Sequence, residues 1–226
     1  MLFVLSVGGS IVAPKEGIDV AFLAGFKKLI EKHVRRGARF VIIVGGGSTC
    51  RQYQQAARDV GTVLSDDLDW LGIHATRLNG HLLRTIFRRL AHPVMIKDPT
   101  RPLGRWHEPV LIAAGWKPGW STDYVAMRLA KRLKAETVIN LTNVDYVYDK
   151  DPRAHADAKP IREIDWPAFR KMVGDAWDPG MHVPFDPIAS RLAQQAKKRV
   201  VMINGRNLEN LDRFLSGKTF TGTVVG

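Results

Sequence analysis

Three glycine-rich segments each follow a short apolar run that predicts a β-strand. They span residues 8–10 (GGS), 45–48 (GGGS) and 115–123 (GWKPGWSTD). Glycine lets backbone N–H groups approach phosphate oxygens closely, and a helix that begins behind the loop adds a favourable dipole. A single loop of this kind could be only a tight turn. Three of them, each at the end of a strand, would place several donors around one crevice, so the sequence predicts a phosphate-binding site.

Three charged residues accompany these segments. Arg51 follows Gly47 by four residues, so it lies in the first turn of the next predicted helix and can point back at the loop. Lys117 is the only cation of the third segment, and Asp123 closes that segment. Cations and a carboxylate close to bound phosphates are what phosphoryl transfer requires. The alternatives are an exposed Arg51 on the helix surface and an Asp123 that only complements the dipole of its own helix.

Other catalytic signatures are absent from the sequence. It contains no P-loop, no dinucleotide-binding fingerprint, no zinc motif and no nucleophile elbow. Cys50 is the only cysteine, so no intramolecular disulfide forms, which suits a reducing cytosol. No apolar run approaches the roughly 20 residues that cross a bilayer. We therefore expect a cytoplasmic protein without a membrane segment.

The chain is strongly basic, with 34 Lys and Arg against 22 Asp and Glu and a formal net charge of +12. Such a balance can indicate a polyanionic partner. Here the basic pairs and triplets are scattered, and each lies near the end of a predicted helix, where cations also complement the helix dipole. The clusters are residues 35–36, 88–89, 131–132 and 197–199. We interpret them as solvated helix ends and do not expect nucleic-acid binding, although an anionic nucleotide substrate would benefit from the same charge.

Strands, glycine loops and helices alternate along the chain, which predicts an α/β fold with a mainly parallel sheet. Asp19 and Ser121 are predicted N-caps, and Gly37 is predicted to end a helix. The predicted strands cover residues 2–7, 40–44, 94–96, 110–114, 137–141 and 200–203, with 221–225 as an edge strand. The predicted helices cover residues 19–36, 49–60, 66–90, 122–133, 188–198 and 208–215.

Five motifs occur in an order that resembles the amino acid kinase superfamily. They are residues 7–10 (VGGS), 45–51 (GGGSTCR), 72–79 (GIHATRLN), 118–123 (PGWSTD) and 142–152 (TNVDYVYDKDP). The likeness extends over nearly the whole chain. The last motif is specific to the superfamily, and the segment 72–79 makes the archaeal-type uridylate (UMP) kinases the most similar branch.

The resemblance implies a three-layer αβα sandwich that forms a single domain over residues 1–226. Residues 1–135 would form roughly the acceptor-binding part and residues 136–226 the ATP-binding part. The implied reaction transfers the γ-phosphoryl group of ATP, with Mg²⁺, to UMP for pyrimidine nucleotide biosynthesis. It proceeds in line and without a covalent intermediate. The resemblance also implies a homohexamer.

The resemblance assigns roles to residues at matching positions. The ATP phosphates would be lined by Gly9, Ser10, Gly47 and Arg51. The adenosine end would be held by Thr142, Asn143, Tyr148 and Asp151. UMP would be held by Gly46, Asp69, Trp116, Lys117, Pro118, Gly119, Trp120, Ser121 and Thr122. Arg51, Asp123 and Lys117 are the predicted catalytic residues, and no particular side chain is predicted to bind the metal.

The chain departs from the superfamily pattern at one position that bears on catalysis. Many members place a lysine two residues before the first glycine pair, where it neutralises charge on the transferred group, and this chain has Ser6 there. The electrostatic role would then pass to Arg51, Lys117, magnesium and backbone donors. Arg77 could face either the acceptor phosphate or solvent, and Asp145 could either orient its loop or approach the metal.

Other departures concern the acceptor. Trp116 and Trp120 are bulky where smaller residues are expected, and Tyr146 replaces a glycine. A kinase of the same fold that acts on another small phosphate or carboxylate acceptor is therefore one alternative. A non-catalytic protein that stores oxyanions such as molybdate is another. The segment Asp175–Pro187 has no assigned role beyond a subunit contact or a flap over the site.

Overall fold

The computed structural model describes residues 1–152, 154–176 and 183–226. Its strands are β1 (Leu2–Val7), β2 (Arg39–Val44), β3 (Val110–Ala113), β4 (Thr137–Thr142), β5 (Val147–Tyr148), β6 (Pro160–Ile161), β7 (Glu163–Ile164), β8 (Arg199–Asn204) and β9 (Thr223–Val225). Its helices are α1 (Gly9–Val12), α2 (Val20–Arg35), α3 (Gly47–Val60), α4 (Ser65–Ile86), α5 (Thr122–Arg132), α6 (Trp166–Val173), α7 (Pro187–Gln195) and α8 (Leu208–Leu215).

Seven of these strands form one sheet in the order β3-β2-β1-β4-β8-β9-β7. Every neighbouring pair is parallel except β8 and β9. In the central register, Leu5 of β1 lies opposite Ile42 of β2 and Ile139 of β4. These central strands are nearly continuous apolar runs because both of their faces are covered. Strands β5 and β6 form a separate antiparallel pair.

Helices cover both faces of the sheet. Leu5, Ile42 and Ile139 belong to one buried cluster with apolar residues of α1, α2, α4 and α8. Val4 and Val138, one residue along the same strands, belong to a second cluster with α5, α6 and α7. Successive strand residues point to opposite faces, so each strand contributes to both clusters. The three-layer αβα sandwich with a mainly parallel sheet is confirmed.

The predicted helix boundary signals are confirmed at three positions. The Asp19 side chain accepts a hydrogen bond from the backbone N–H of Phe22 at 2.9 Å, and the Ser121 hydroxyl accepts one from Tyr124 at 3.0 Å. Gly37 adopts φ +83° directly after the end of α2. These signals depend only on neighbours along the chain, so the sequence carries them completely.

Two strand predictions are wrong in detail. Residues 94–96 do not form a strand, because only Ile96 makes an isolated bridge, to Ala113. The last strand, β9, is not an edge strand, since it lies between β8 and β7. Both errors concern pairing with residues far away along the chain, which a local apolar pattern does not specify.

Several helix predictions also need correction. Helix α4 ends at Ile86, four residues before Leu90, and α7 ends at Gln195, three residues before Lys198. Helix α6 and the two-residue strands β5, β6 and β7 were not predicted. A strand of two residues is too short to show a period of two.

The segment Asp175–Pro187 lies partly outside the described residues, which omit 177–182. In the described part, Asp186 is the N-cap of α7 and accepts a hydrogen bond from the backbone N–H of Ala189 at 2.6 Å. No helix among the described residues combines the length and the apolar character that crossing a membrane requires.

Candidate active site

The first two glycine loops interlock at the carboxyl ends of β1 and β2. A Cβ atom on Gly9 would overlap the backbone nitrogens of Gly46 and Gly47, and one on Gly47 would overlap the carbonyl oxygen of Gly9. Gly47 also adopts φ +65°, which favours glycine. Each loop therefore requires glycine so that the other can approach, and a side chain on either would separate them.

The same two loops present backbone donors. The N–H groups of Gly9, Ser10, Gly46 and Gly47 donate to no other group in the described part of the chain. Asn79 of α4, which is 2% exposed, donates to the carbonyl oxygens of Gly45 and Gly46 at 2.8 and 3.2 Å. The loop carbonyls are thus occupied while the N–H groups remain available, which is the arrangement that an anion requires.

Helix α4 also holds the third glycine loop. The Thr76 hydroxyl accepts a hydrogen bond from the Gly115 N–H at 2.8 Å, and Arg77 donates to the carbonyl oxygens of Gly115 and Trp116 at 3.3 and 2.9 Å. Asp69 accepts from the Gly119 N–H at 2.7 Å. Burial raises the pKa of Asp69, and the Gly119 hydrogen bond partly offsets that rise. Arg77 therefore orients the third glycine loop and lies beside the predicted acceptor site.

Aromatic side chains line the same loop. Trp116 and Trp120 have ring centroids 5.8 Å apart, and Trp120 lies 4.0 Å from the ring of Tyr124. The Lys117 ammonium lies 4.5 Å from the centroid of Trp116. The two tryptophans thus pack into one aromatic group beside Lys117, the cation that is predicted to bind the phosphoryl acceptor.

A pair of carboxyl groups lies where α5 begins, next to the end of β1. Asp123 accepts hydrogen bonds from the Ser6 hydroxyl at 2.8 Å and from the Asp186 backbone N–H at 3.3 Å. Asp186 is 3% exposed. Ser6, which stands where many superfamily members have a lysine, is therefore the direct partner of Asp123.

This environment changes the acidity of both groups. Burial raises the pKa of Asp123 to about 6, with a further rise from the Asp186 charge and an opposing effect of the Ser6 hydroxyl. Asp123 is set deep among protein atoms, yet its side chain keeps partial access to solvent. Burial likewise raises the pKa of Asp186. Two neighbouring carboxyl groups disfavour each other's ionisation, so a cation or a proton here would stabilise the site.

The predicted adenosine-binding residues follow β4. Thr142 ends that strand, and its hydroxyl bonds to the carbonyl oxygen of Val144 at 2.9 Å, which tightens the turn. The Tyr146 and Tyr148 rings meet edge to face at 6.4 Å. Asp145 accepts a hydrogen bond from Asn204 at 2.9 Å, so it ties the loop to the end of β8. The Gly8 N–H donates to the Leu141 carbonyl at 2.9 Å, which places this loop beside the first glycine loop.

The structure brings most predicted site residues to one edge of the sheet, but not all of them into contact. Arg51 is exposed in the first turns of α3. Asn143 is also exposed, and the backbone carbonyl of Asp151 accepts from Ala154 and His155 in a turn farther along the loop. Sequence reasoning missed Thr76, Asn79 and Asp186. An aspartate directly before the proline that begins α7 was a usable N-cap signal.

Cys50 packs between α3 and α4 beside the second glycine loop. A Cβ atom on Gly46 would lie 2.6 Å from the Cys50 Cβ, and one on Gly72 would lie 3.2 Å from its sulfur. Burial raises the pKa of the Cys50 thiol. A protonated thiol is a poor nucleophile, so this residue is a packing residue.

The residues present fit a magnesium ion that arrives with a nucleotide. Among the described residues, no three His, Cys, Asp or Glu side chains form a group that could hold a metal alone. Magnesium in nucleotide sites is held by phosphates and only one or two carboxylates. Asp123 and Asp186 would supply those, since the second oxygen of Asp186 lies near the Ser121 hydroxyl without a well-formed hydrogen bond to any described residue.

The αβα sandwich and its three glycine loops define a class of protein. Residues 1–204 match the amino acid kinase family, and the chain belongs to that family.

Within this family the chain is similar to archaeal uridylate kinases. It is 34% identical over 229 residues to the uridylate kinase of Methanococcus aeolicus. This alignment covers 100% of this chain and 99% of the relative. It is 32% identical over 228 residues to the uridylate kinase of Sulfurisphaera tokodaii, with 100% and 99% coverage. The crystal structure of the Archaeoglobus fulgidus uridylate kinase matches with a TM-score of 0.83, at 30% identity and 100% coverage of both chains. The resemblance read from the motifs is confirmed.

Proposed function

We propose that this protein is an ATP-dependent UMP kinase that forms UDP and ADP. The observation that carries the proposal is the meeting of three glycine loops at one edge of the sheet. The first two of these loops keep N–H groups that donate to no described residue. The acceptor follows from the uridylate kinases of similar sequence, which align over nearly their full length. No feature of the described residues favours an oxyanion store.

On the donor side, backbone N–H groups of Gly9, Ser10 and Gly47 would bind the ATP phosphates, with Arg51 approaching from α3. The adenosine end would contact Thr142, Asn143, Tyr148 and Asp151. Tyr148 is half-buried, so one face of its ring can pack against adenine. In this proposal the adenosine end of ATP lies on residues 136–226, whereas the ATP phosphates and the acceptor lie on residues 1–135.

On the acceptor side, UMP would lie between Gly46, Asp69 and the loop from Trp116 to Thr122. One oxygen of Asp69 is already bonded to Gly119, which fixes the carboxylate and leaves the other oxygen for ribose hydroxyls. Lys117 would contact the UMP phosphate. The aromatic group of Trp116 and Trp120 would limit the space for the base.

Catalysis would rest on positioning and charge stabilisation. An oxygen of the UMP phosphate attacks the γ-phosphorus of ATP in line, and ADP leaves from the opposite side. Arg51 and Lys117 stabilise the negative charge that spreads over the transferred group. Asp123 accepts hydrogen bonds from Ser6 and from the Asp186 N–H, and it thereby holds the end of β1 and the start of α7 in place beside the site. Magnesium bound to ATP would neutralise phosphate charge, with Asp123 and Asp186 as the carboxylates available to it.

The test is ADP formation from Mg-ATP with UMP, CMP, AMP, dUMP or no acceptor. UMP-selective turnover supports the proposal. Turnover with another acceptor only would keep the kinase and replace its substrate. Folded protein that binds ATP but turns over no acceptor would contradict the proposal, and metal analysis of the purified protein would then examine oxyanion storage.

Two further expectations rest on resemblance alone. We infer a homohexamer and a cytoplasmic role in pyrimidine nucleotide biosynthesis, since the sequence is similar to the archaeal-type branch. Light scattering after gel filtration measures the oligomer, and a mass of one or two chains would contradict the hexamer.

A further inference from the structure

The basic clusters that are scattered in the sequence meet at one edge of the molecule. In a parallel sheet each helix runs back from the carboxyl edge to the amino edge, where the next strand begins. Helices α2, α5 and α7 end directly before β2, β4 and β8, respectively. Their basic ends, at residues 35–36, 131–134 and 197–199, therefore lie at the amino edge, opposite the glycine loops.

Two lysines at this edge adopt a conformation that favours glycine. Helices α2, α5, α7 and α8 end with the same closure, in which the second residue past the helix cap donates to the carbonyl five positions earlier, as in Ala38 to His33 and Ala135 to Ala130. The left-handed residue of the closure is Gly37 in α2 and Gly217 in α8.

The corresponding residue is Lys134, at φ 57°, in α5 and Lys197, at φ 49°, in α7. These are the only non-glycine residues with positive φ in the described part of the chain. A side chain in this region is strained, so two lysines at such positions are costly to the fold. The helix dipole accounts for a cation near a helix end but not for its placement at the strained position.

A cavity of about 860 Å³ opens at the same edge and is called the basic groove here. Its cations are Arg36, Lys134 and Arg199, and its floor includes the half-buried rings of Phe3 and Phe214. The volume is in the range of ligand pockets. The groove therefore combines positive charge with accessible aromatic surface.

The cations of the basic groove are free to bind an anion. Arg36, Lys134 and Arg199 are exposed, and none of them forms an ion pair with a described residue. The acidic groups near the rim are Asp212, which already pairs with Lys32 at 2.6 Å and His33 at 2.8 Å, and Glu136, which also lines the groove. The positive charge thus exceeds the negative charge that faces it.

We propose that the basic groove binds single-stranded nucleic acid through its phosphate backbone, with the rings of Phe3 and Phe214 as stacking surfaces. A positive groove with aromatic side chains is the arrangement that sequence-independent binding of single strands uses. A membrane surface would require protruding apolar groups, whereas these rings lie in a concavity. The groove lies at the edge opposite the kinase site, so the two activities are separable.

The test is fluorescence anisotropy of a labelled single-stranded RNA of about 20 nucleotides in mixed sequence, with saturating ATP and UMP to block the kinase site. We expect binding that persists at about 200 mM salt. The double variant Lys134→Gly with Arg199→Ala removes two of the three groove cations. It should bind about tenfold more weakly and lower the salt slope by about 1.4, since each lost phosphate contact on a single strand removes about 0.7. Phe214→Leu should weaken binding about fivefold through lost stacking.

The matched control is Lys97→Ala with Arg105→Ala, which removes two exposed cations at the β3 side of the sheet and changes the net charge equally. It should bind RNA within twofold of the parent protein. Equal weakening in both double variants would show a general charge effect and overturn the proposal, as would binding that disappears above low salt. Tighter binding to duplex DNA, or binding to phosphatidylglycerol vesicles without RNA binding, would also overturn it. Unchanged kinase activity of Lys134→Gly with Arg199→Ala verifies its fold.

Discussion

The two edges of the sheet use the left-handed backbone conformation in opposite ways. At the carboxyl edge, Gly47 adopts φ +65° so that a second loop can approach and backbone N–H groups remain open. At the amino edge, Lys134 and Lys197 adopt nearly the same φ but carry long cationic side chains. The first arrangement offers fixed dipoles for a small, shaped anion, whereas the second offers flexible charge for an extended one.

The edges also differ in their acidic groups. At the carboxyl edge, Asp123 and Asp186 contact each other with raised pKa values. At the amino edge, the main carboxylate, Asp212, has a pKa lowered by its hydrogen bonds to Lys32 and His33. At the carboxyl edge, a bound cation can therefore reduce the repulsion between two carboxylates. At the amino edge, the carboxylate is already paired with cations. Mutations at the two edges should separate activity from stability.

The largest expected effect is on turnover at the carboxyl edge. Arg51→Ala should lower kcat about a hundredfold or more, because it removes several kcal/mol of transition-state stabilisation. Its melting temperature should stay near that of the parent, since Arg51 is exposed. Arg35→Ala, an exposed cation at the amino edge, should leave kcat unchanged. Equal losses in both variants would contradict the division between the edges.

The next effect concerns pH. The pKa of Asp123 in the folded protein is about 6 against 3.8 for an unperturbed aspartate, so the folded state binds this proton more tightly than the unfolded chain. Its contribution to stability is full below pH about 4 and is lost as pH rises through about 6. Asp123→Asn should therefore match the parent at pH 4 and exceed its unfolding free energy by on the order of 2 kcal/mol at pH 7.5. Urea titrations of nucleotide-free protein without magnesium measure this, and a pH-independent difference would refute it.

A smaller effect is expected at the support of the second glycine loop. Asn79→Ala would remove the side-chain donor to the carbonyl oxygens of Gly45 and Gly46, of which Gly46 keeps only a hydrogen bond from the Cys50 N–H at 3.3 Å, at a cost of about 1–2 kcal/mol in stability. Displaced loop dipoles should also lower kcat about tenfold. Arg84→Ala is the control, because Arg84 lies on the same helix and, among the described residues, donates only to the exposed carbonyl of Pro93. Measuring kcat for UDP formation distinguishes the two variants. Equal kcat values in both would show that Asn79 does not support the second glycine loop for catalysis.

The smallest effect should be a gain. Lys134→Gly relieves a left-handed side chain and should raise the unfolding free energy by about 1 kcal/mol. For a protein of this size, that corresponds to about 2–4 °C in melting temperature. Lys131→Gly, inside α5, is the contrasting substitution and should destabilise by about 1 kcal/mol. If calorimetry shows that Lys134→Gly lowers the melting temperature, the backbone strain assigned to Lys134 is contradicted.

Local features of the sequence predicted much of this structure. Contacts between elements that are far apart in the chain could not be predicted. Asp19 and Ser121 cap helices as predicted, because each cap side chain accepts a hydrogen bond from a backbone N–H only three residues further along the chain. The loop-orienting contacts of Arg77 were not predicted, since its partners are carbonyl groups 38 and 39 residues away. Asp186 was missed as a neighbour of Asp123, which lies 63 residues earlier.

The sequence by itself determined the αβα architecture, the glycine loops and the family, because apolar runs, caps and glycine spacing are properties of neighbouring residues. Only the tertiary structure decided which loops interlock, that Ser6 is bonded to Asp123, and that dispersed basic helix ends lie on one edge. The physical reason is that a parallel sheet aligns all helix ends of one kind at the same edge. Residues far apart in the chain thereby become neighbours, and no local pattern records that alignment.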